Sequence, residues 1–359
     1  MMRLARCVIC RDLGDYSICA SSQEQESRTG GTRIAASQYN IAFSPGAVFG
    51  VWWPNQRCGM LARSKVRSQE CAREVIFIGA ASMMTLPELA ADALEELLGS
   101  FMRHVYGSSQ AYRELVLAAA RIALECIGNS DALYHNVEHT LLVTLAGHDI
   151  LRGRALHAHI TVSDYAHVII ACLAHDIGYV RGLLKEDDAD GFVIDASGRK
   201  VTLPRGSSDA SLMPYHVDRS KLYVIERIEG IAELDELRIA HAIEGTRFPP
   251  SEGQQFDEEA SILRAADFIG QLGDPNYIRK ANALYHEFEE VGMNRQLGYA
   301  SPADIVDSYP QFYWNSVAPH IQTAIRYLNM TSRGRQWVAN LYSNVFRAER
   351  EISLSGPQA

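Results

Sequence analysis

The sequence has no long hydrophobic run and no excess of basic residues, and both absences exclude broad classes of protein. Its 359 residues contain no apolar stretch of about 18, the length that a membrane-spanning helix needs. The best candidate, 75–86, is shorter and is interrupted by Gly79 and Ser82. The net charge of −9 argues against a nucleic-acid polymer as the main partner, because proteins that bind one usually carry a basic surface. We therefore predict neither a membrane nor a nucleic-acid partner.

Cysteines are sparse over most of the chain. Of the seven, only Cys126 and Cys172 follow residue 84, and both lie in apolar helical patterns typical of buried thiols in a reducing compartment. The N-terminal residues also lack the apolar core of a signal peptide, because Arg11 and Asp12 interrupt it. Together these features predict a cytoplasmic protein.

The character of the sequence changes near Met83 and Met84. Residues 1–83 show no sustained periodicity and include a polar, glycine-rich stretch at 21–31, a composition typical of disorder. We expect either an unfolded tail or an untranslated segment, with translation starting at Met83 or Met84. Residues 84–350 are predicted to form one domain, and 351–359 a C-terminal tail.

From Thr85 onward the pattern is helical. Thr85 is a suitable N-cap and Pro87 suits the first turn, so a helix is predicted to begin there. A helix capped at Ser163–Asp164 is predicted to run through 168–174 and is apolar nearly all round, which indicates a central buried helix. Two short β-prone segments flank a turn at 196–199. The predicted fold class is an all-α helical domain with a small β-hairpin insertion near 192–203.

One predicted helix carries two candidate metal ligands. It is expected to begin at Ser130 or Asp131 and to run to about Ile150. His135 and His139 are four residues apart, so on this helix both imidazoles would share one face. Two imidazoles placed in this way can bind one ion, or one can bind while the other faces a substrate.

Two carboxylates occur where apolar surroundings are expected. His175–Asp176 ends the predicted buried helix, and a carboxylate there costs several kcal/mol unless it is paired or bound to a metal. Asp267 repeats the situation on a helix predicted over 258–272, although Arg264 gives that helix one polar side. These three residues join the candidate ligands.

A second His–Asp dipeptide must be separated from the first. His148–Asp149 lies just before a charged turn, so we interpret it as structural, at a solvated helix end. His216 and His241 are intermediate cases, each either a neighbour of the ligands or an extra ligand for a second ion. Thr246 is a further residue that could line the cleft.

The combination Tyr-His-Asn-x-x-His at 134–139, His-Asp at 175–176 and Ala-Asp at 266–267 resembles the HD-domain metal-dependent phosphohydrolases. Within that superfamily it is similar to the class I cyclic-nucleotide phosphodiesterase branch, over roughly residues 100–345. The family fold is all-α. The resemblance implies an enzyme that hydrolyses a phosphodiester, cyclic-nucleotide-like or another small one, by a metal-bridged hydroxide.

The resemblance implies a role for each matched residue. His139, His175, Asp176 and Asp267 would bind the tighter of two divalent ions, zinc or Fe²⁺. Asp176 would also bridge to Mg²⁺ or Mn²⁺ at the second site. His135 would be the general acid that protonates the leaving oxygen, a role that contributes about 10²–10⁴-fold.

The substrate-facing positions depart from the branch. If Phe312 is aligned with the ring-clamping phenylalanine, Tyr309 stands where the purine-reading enzymes have a glutamine, and Gln311 lies in another register. A tyrosine hydroxyl cannot make the two-point contact of an amide with a purine edge. Tyr134 is the fourth predicted substrate-binding residue. The positions predicted to surround the metal ligands are Asn136, Tyr179, His216, His241 and Thr246, and of these Tyr179 replaces a histidine of the branch.

The same ligand set is compatible with two other functions. HD sites elsewhere act as nucleotidases or phosphomonoesterases, which is the second hypothesis. The third hypothesis is a metal-stabilised regulatory module without catalysis. The predicted partner is a small phosphoester, with a nucleotide as one candidate. The oligomeric state is left open.

Overall fold

The computed structural model describes residues 84–107, 109–249 and 255–355. The two alternatives predicted for 1–83 fall outside these residues. The described part contains twelve α-helices, with the bounds Leu86–Tyr106 (α1), Gln110–Ile127 (α2), Val137–Ala155 (α3), Val162–Ala174 (α4), His216–Ile228 (α5), Glu236–Glu244 (α6), Glu258–Leu272 (α7), Tyr277–Glu290 (α8), Met293–Leu297 (α9), Pro302–Phe312 (α10), Ala318–Leu328 (α11) and Ser332–Ser355 (α12).

The remaining regular elements are short. They are the 3₁₀ helices Ile177–Tyr179 and Asp209–Leu212, the π-helix Tyr313–Val317, and the strands Phe192–Val193 (β1) and Lys200–Val201 (β2). The strands pair antiparallel, with Phe192 opposite Val201. The prediction of an all-α domain with one small hairpin is therefore confirmed.

The first helix begins as predicted. The Thr85 side chain accepts from the backbone N–H of Glu88, and the Glu88 carboxylate accepts from the N–H of Thr85 in return. This reciprocal pair satisfies two of the free N–H groups at the helix start. At the other end of the chain α12 runs to Ser355, past the boundary predicted at 350.

The start of α3 differs from the prediction. The helix begins at Val137 and not near Ser130, because the Asn136 side chain caps it by accepting from the N–H groups of Glu138 and His139. His135 therefore precedes the helix. The expectation that His135 and His139 share a helical face is wrong.

Helix α4 lies at the centre of the fold, buried from Tyr165 to Ala174. Helices α3 and α7 pack against it and against each other. Their approach is close at Gly270, where a Cβ would lie 2.8 Å from the backbone nitrogen of Val143. His139 and Asp267 lie one turn before these two positions, so the same approach brings the two side chains together.

Among the described residues, no helix combines the length and the apolar character that crossing a bilayer requires.

Candidate metal centre

Four of the predicted ligands converge. The Nε2 atoms of His139 and His175 lie 3.3 Å apart. Oδ2 of Asp176 is 3.1 Å from the first and 3.0 Å from the second. Oδ1 of Asp267 is 3.4 Å from Nε2 of His139 and 3.8 Å from Nε2 of His175. These four atoms come from α3, from α7 and from the C-terminal end of α4.

Five of the six separations among these atoms are those of ligands that share one metal ion. Ligand atoms at about 2.0–2.2 Å from one zinc ion are separated by about 3.3–3.6 Å in a regular tetrahedron. The five separations above run from 3.0 to 3.8 Å and centre on this range. The donor set of two imidazoles and two carboxylates also suits zinc or Fe²⁺.

One buried polar atom of the cluster is not satisfied by a hydrogen bond. Oδ2 of Asp176 is buried and has no hydrogen-bond partner among the described residues. The Nε2 atoms of His139 and His175 nevertheless lie only 3.1 Å and 3.0 Å from it. An unpaired carboxylate oxygen in the interior costs several kcal/mol. The environment therefore fits a cation, which would face this oxygen and both nitrogens at once.

The charges of the cluster lead to the same conclusion. Burial alone would lower the pKa of His139, but the carboxylates of Asp176 and Asp267 outweigh it and raise the pKa to about 10. Burial would raise the pKa of Asp176, but the neighbouring His175 and His139 hold it well below its usual range. The carboxylates thus draw positive charge into the site, which protons or metal ions can supply.

The orientation of His175 leaves the correct nitrogen for an ion. Its Nδ1 lies 2.8 Å from the carbonyl oxygen of Cys172, which can only accept, so Nδ1 carries the hydrogen. Nε2 then presents a lone pair to the cluster. A backbone carbonyl on the far nitrogen is a common way to orient a metal-binding histidine.

His135 lies beside the four ligands despite preceding α3. Its ring centroid is 5.3 Å from that of His139. Its Nδ1 lies 2.5 Å from Oε2 of Glu287, and Oε1 of the same carboxylate accepts from the backbone N–H groups of Tyr134 and His135. A nitrogen of His135 also lies within reach of ligand atoms of His139 and Asp176. The imidazole is therefore held at the edge of the cluster by a buried carboxylate.

Sequence reasoning missed Glu287. Burial would raise the pKa of this carboxyl, but the charge of His135 and the three donors around it hold the pKa below its ordinary value. A sequence signal existed, because Glu287 continues the stripe of buried residues Tyr277, Ala281 and Leu284 on α8. An acidic residue on an apolar helical face needs a partner.

Two of the predicted surrounding residues stack on each other. The ring of Tyr179 is parallel to that of His135 at 4.6 Å, and it also stacks on His216 at 4.6 Å. Nε2 of His216 lies 3.6 Å from Oδ1 of Asp176. Tyr179 and His216 therefore belong to the site. Asn136 belongs to it indirectly, as the cap of α3.

The predicted substrate-binding residues fall into separate places. Tyr134 is buried, with its ring against those of His135 and His139. Gln311 is exposed, and Tyr309 is buried with no hydrogen-bond partner for its hydroxyl among the described residues.

Phe312 is half-buried and belongs to an aromatic trio. Its ring centroid lies 5.8 Å from that of Phe248 and 6.4 Å from that of Phe268, the residue that follows Asp267. The trio therefore stands next in the chain to a candidate ligand.

His241 and Thr246 interact with residues outside the candidate ligands. His241 is more than half exposed and pairs with Asp257 at 3.3 Å. The Thr246 hydroxyl donates to the carbonyl of Ile243, one turn back. The structure gives neither residue a contact with the four ligands, so of the two intermediate histidines only His216 reaches the site.

Comparison with known proteins gives one family. The matching family model is described as Npun_R2479-like, and the match spans residues 84–351. A search of curated proteins finds no match to the chain. The matched span includes all four candidate ligands, His135 and Glu287. The chain therefore belongs to the Npun_R2479-like family.

Proposed function

We propose that this chain is a metal-dependent phosphohydrolase of the HD type, acting on a small phosphodiester. The observation that carries the proposal is the close approach of ligand atoms from His139, His175, Asp176 and Asp267, with His135 at its edge. The spacing supports zinc or Fe²⁺ at this position, with Mg²⁺ or Mn²⁺ nearby. Divalent ions held there would polarise a phosphoryl oxygen and lower the pKa of a bound water towards about 7.

The protein supplies a proton donor in this scheme. Because Nδ1 of His135 faces Glu287, its Nε2 is the nitrogen available to the substrate. A protonated His135 would donate from Nε2 to the oxygen of the leaving group. Glu287 is itself held by two backbone hydrogen bonds, and its contact with Nδ1 fixes the orientation of the His135 ring.

The site has an accessible side on which a substrate could bind. The side chain of Asp267 is 22% exposed, whereas those of His139, His175 and Asp176 are buried. The next residue, Phe268, belongs to the aromatic trio. A planar substituent of the phosphoester would gain contact with its half-buried rings. This arrangement supports a nucleotide-like or aryl ester as substrate.

The cysteines bear on the compartment in which the protein acts. Cys126 and Cys172 are both free thiols, and Cys126 is only half-buried. Free thiols are typical of proteins in a reducing compartment. We propose that the enzyme acts in the cytoplasm.

The test compares two ester classes on one protein. Zinc-loaded protein with added Mn²⁺ is assayed on bis(p-nitrophenyl) phosphate and on p-nitrophenyl phosphate. We expect faster hydrolysis of the diester, and a loss of about 10²–10⁴-fold for His135→Ala. His286→Ala is the matched control, because His286 is exposed on α8 next to Glu287. It should keep full activity.

Three results would redirect the proposal. Preference for the monoester would favour a nucleotidase or phosphomonoesterase. A metal-loaded protein that hydrolyses neither ester would favour the regulatory module. Unchanged diester hydrolysis by His135→Ala would refute the role given to that imidazole.

A further inference from the structure

Arg264 is a buried arginine on α7, three residues before the candidate ligand Asp267. The sequence predicts a polar side of α7 at this residue, whereas the residue is only 3% exposed. Its Nε donates to the carbonyl oxygen of Gly245 at 2.6 Å, and its Nη2 donates to the carbonyl oxygen of Arg247 at 2.7 Å. The arginine therefore ties α7 to the segment that follows α6.

The charge of Arg264 is poorly balanced. Its two hydrogen-bond acceptors are neutral carbonyls, and its buried Nη1 has no partner among the described residues. Burial lowers the pKa of the guanidinium, because the charge of Asp267 offsets the burial only in part. A buried cation of this kind costs free energy that an apolar side chain would not. Such a departure from the usual rules is expected where a residue serves function.

A second arginine joins the same helices in the ordinary way. Arg238 lies on α6, and its guanidinium pairs with the carboxylates of Glu259 on α7 and Asp164 on α4. Helix α6 is therefore held to its neighbours by a charge-balanced arginine. What Arg264 adds is a hold on the two carbonyls that follow α6.

The residue after this hold is Phe248, one ring of the aromatic trio. It is 50% exposed, so burial alone does not fix the ring. Its centroid nevertheless lies 6.1 Å from that of Phe268 and 5.8 Å from that of Phe312, edge-on to both. The carbonyl of Arg247 belongs to the peptide bond that joins Arg247 to Phe248. Its hydrogen bond to Arg264 therefore fixes the backbone from which the ring projects.

Helix α7 supplies both parts of this arrangement. Arg264 and Phe268 are four residues apart on α7, so they share one face. A Cβ at Gly245 would lie 2.7 Å from the carbonyl oxygen of Ala260, so glycine lets the end of α6 lie directly against α7. The ring of Phe256 covers the guanidinium, with its centroid 4.3 Å from Cζ. One helix thus carries a ring of the trio and the guanidinium that fixes another ring.

We propose that Arg264 is a positioning residue that holds Phe248 in the aromatic trio and thereby sets the preference of the site for a planar substituent on the phosphoester. The arginine acts through the ring and does not itself touch the substrate. This inference rests on the metal site of the proposed function and names a residue that determines its substrate class.

The test compares two phosphonates and needs no catalysis. Phenylphosphonate and methylphosphonate present the same anionic head to the ions and differ only in the organic group. Calorimetry measures the binding of each to full-length protein loaded with zinc and Mn²⁺. The wild type should bind phenylphosphonate about 10-fold more tightly than methylphosphonate. Arg264→Met should reduce this ratio by about 3–10-fold and leave the affinity for methylphosphonate unchanged.

Three further variants separate positioning from general stability. Arg264→Lys can still donate to one carbonyl, so its ratio should lie between those of the wild type and Arg264→Met. Arg238→Met is the matched control and should keep the wild-type ratio. Phe248→Ala should lower the ratio as Arg264→Met does, and the double variant should lower it no further, because the arginine acts through that ring. Circular dichroism checks that each variant is folded, and Arg264→Lys carries the test if Arg264→Met is not.

The outcomes distinguish this inference from the proposed function. A wild-type ratio in the Arg264 variants, or losses that multiply in the double variant, overturns the role of Arg264. Equal weakening of both phosphonates in Arg264→Met also overturns it, because a general defect of the fold would have that effect. Equal binding of the two phosphonates by the wild type overturns the inference and leaves the proposed hydrolase intact. A metal-loaded wild type that binds neither phosphonate overturns both.

Discussion

The chain contains two His–Asp dipeptides, His148–Asp149 and His175–Asp176, and both are buried. In the first, every charge meets a protein partner. Asp149 accepts from the indole N–H of Trp337 and pairs with Arg333 at 2.9 Å and Arg152 at 3.3 Å.

In the second dipeptide the neighbours are imidazoles. Asp176 meets Nε2 of His139, His175 and His216, and its buried Oδ2 has no hydrogen-bond partner among the described residues. The charge of an aspartate that faces arginines and an indole is already balanced by these protein groups. An aspartate that faces imidazole nitrogens is not balanced in this way, and a cation would interact favourably with the carboxylate and with the nitrogen lone pairs. The partners, and not the dipeptide, distinguish a structural pair from a candidate metal site.

The largest effect should come from the same substitution in both dipeptides. Asp176→Asn should lose the bound zinc and reduce diester hydrolysis to the buffer background, because a neutral amide is a poor ligand for the ion. Asp149→Asn should keep the bound zinc and the diester hydrolysis. It should lose about 1.5–3 kcal/mol of unfolding free energy, the cost of a hydrogen bond to a charged group. Elemental analysis after dialysis gives the metal content. Equal zinc content in Asp176→Asn and Asp149→Asn would contradict the distinction between the two dipeptides.

Removal of the metal should affect stability only through the second dipeptide. Free zinc at 100 times its dissociation constant stabilises the folded state by about 2.7 kcal/mol. A chelator should therefore lower the Tm of the wild type and of Asp149→Asn by several degrees. Asp176→Asn should melt at the same temperature with and without chelator. Thermal unfolding followed by circular dichroism provides the comparison, and a chelator shift in all three proteins would contradict it.

The first dipeptide should instead respond to pH. Burial lowers the pKa of His148 from 6.5 to about 3, so the folded state keeps this imidazole neutral while the unfolded chain takes up a proton. Stability from this group is present above pH 6.5 and is lost as the pH falls towards 3. Between pH 7.5 and 5 the loss is roughly 2 kcal/mol.

The variant His148→Gln isolates this response. It cannot titrate and can still hydrogen-bond to the Tyr165 hydroxyl, which lies 2.7 Å from Nδ1. Urea unfolding in excess chelator should show a smaller drop in unfolding free energy for the variant than for the wild type. Identical drops would show that His148 is not held neutral.

The smallest effect should come from Trp337→Phe. This change removes one donor to Asp149 but leaves both arginines, so we expect a loss of about 1–2 kcal/mol. Zinc content should not change, because Trp337 has no part in the other dipeptide. Urea unfolding and elemental analysis measure both quantities. Loss of zinc here would mean that the two dipeptides are coupled.

Much of the fold followed from local pattern. The Thr85 cap, the hairpin at 192–203 and the bounds of α7 were predictable because each depends on neighbours in the sequence. The start of α3 was not, because Asn136 competes with Ser130 and Asp131 as a cap and the chain before it stays irregular. Convergence of the four ligands was expected from the family resemblance, since periodicity alone does not pair helices.

The errors around the site have one physical cause. His148–Asp149 was expected to be solvated, and it is buried because Trp337 and Arg333 arrive from α12, far away in the chain. Glu287 was missed for the same reason, since its partner His135 lies on a different element. Long-range partners decide the role of a buried charge, and one sequence does not name them.

The central claim is that one ion fits among four named side chains. The most direct measurement is an anomalous-difference map from crystals soaked in Zn²⁺. The account predicts one strong peak at about 2.0–2.2 Å from Nε2 of His139, Nε2 of His175 and the carboxylate oxygens of Asp176 and Asp267. A map with no peak there, or with its strongest peak at His148–Asp149, would contradict it.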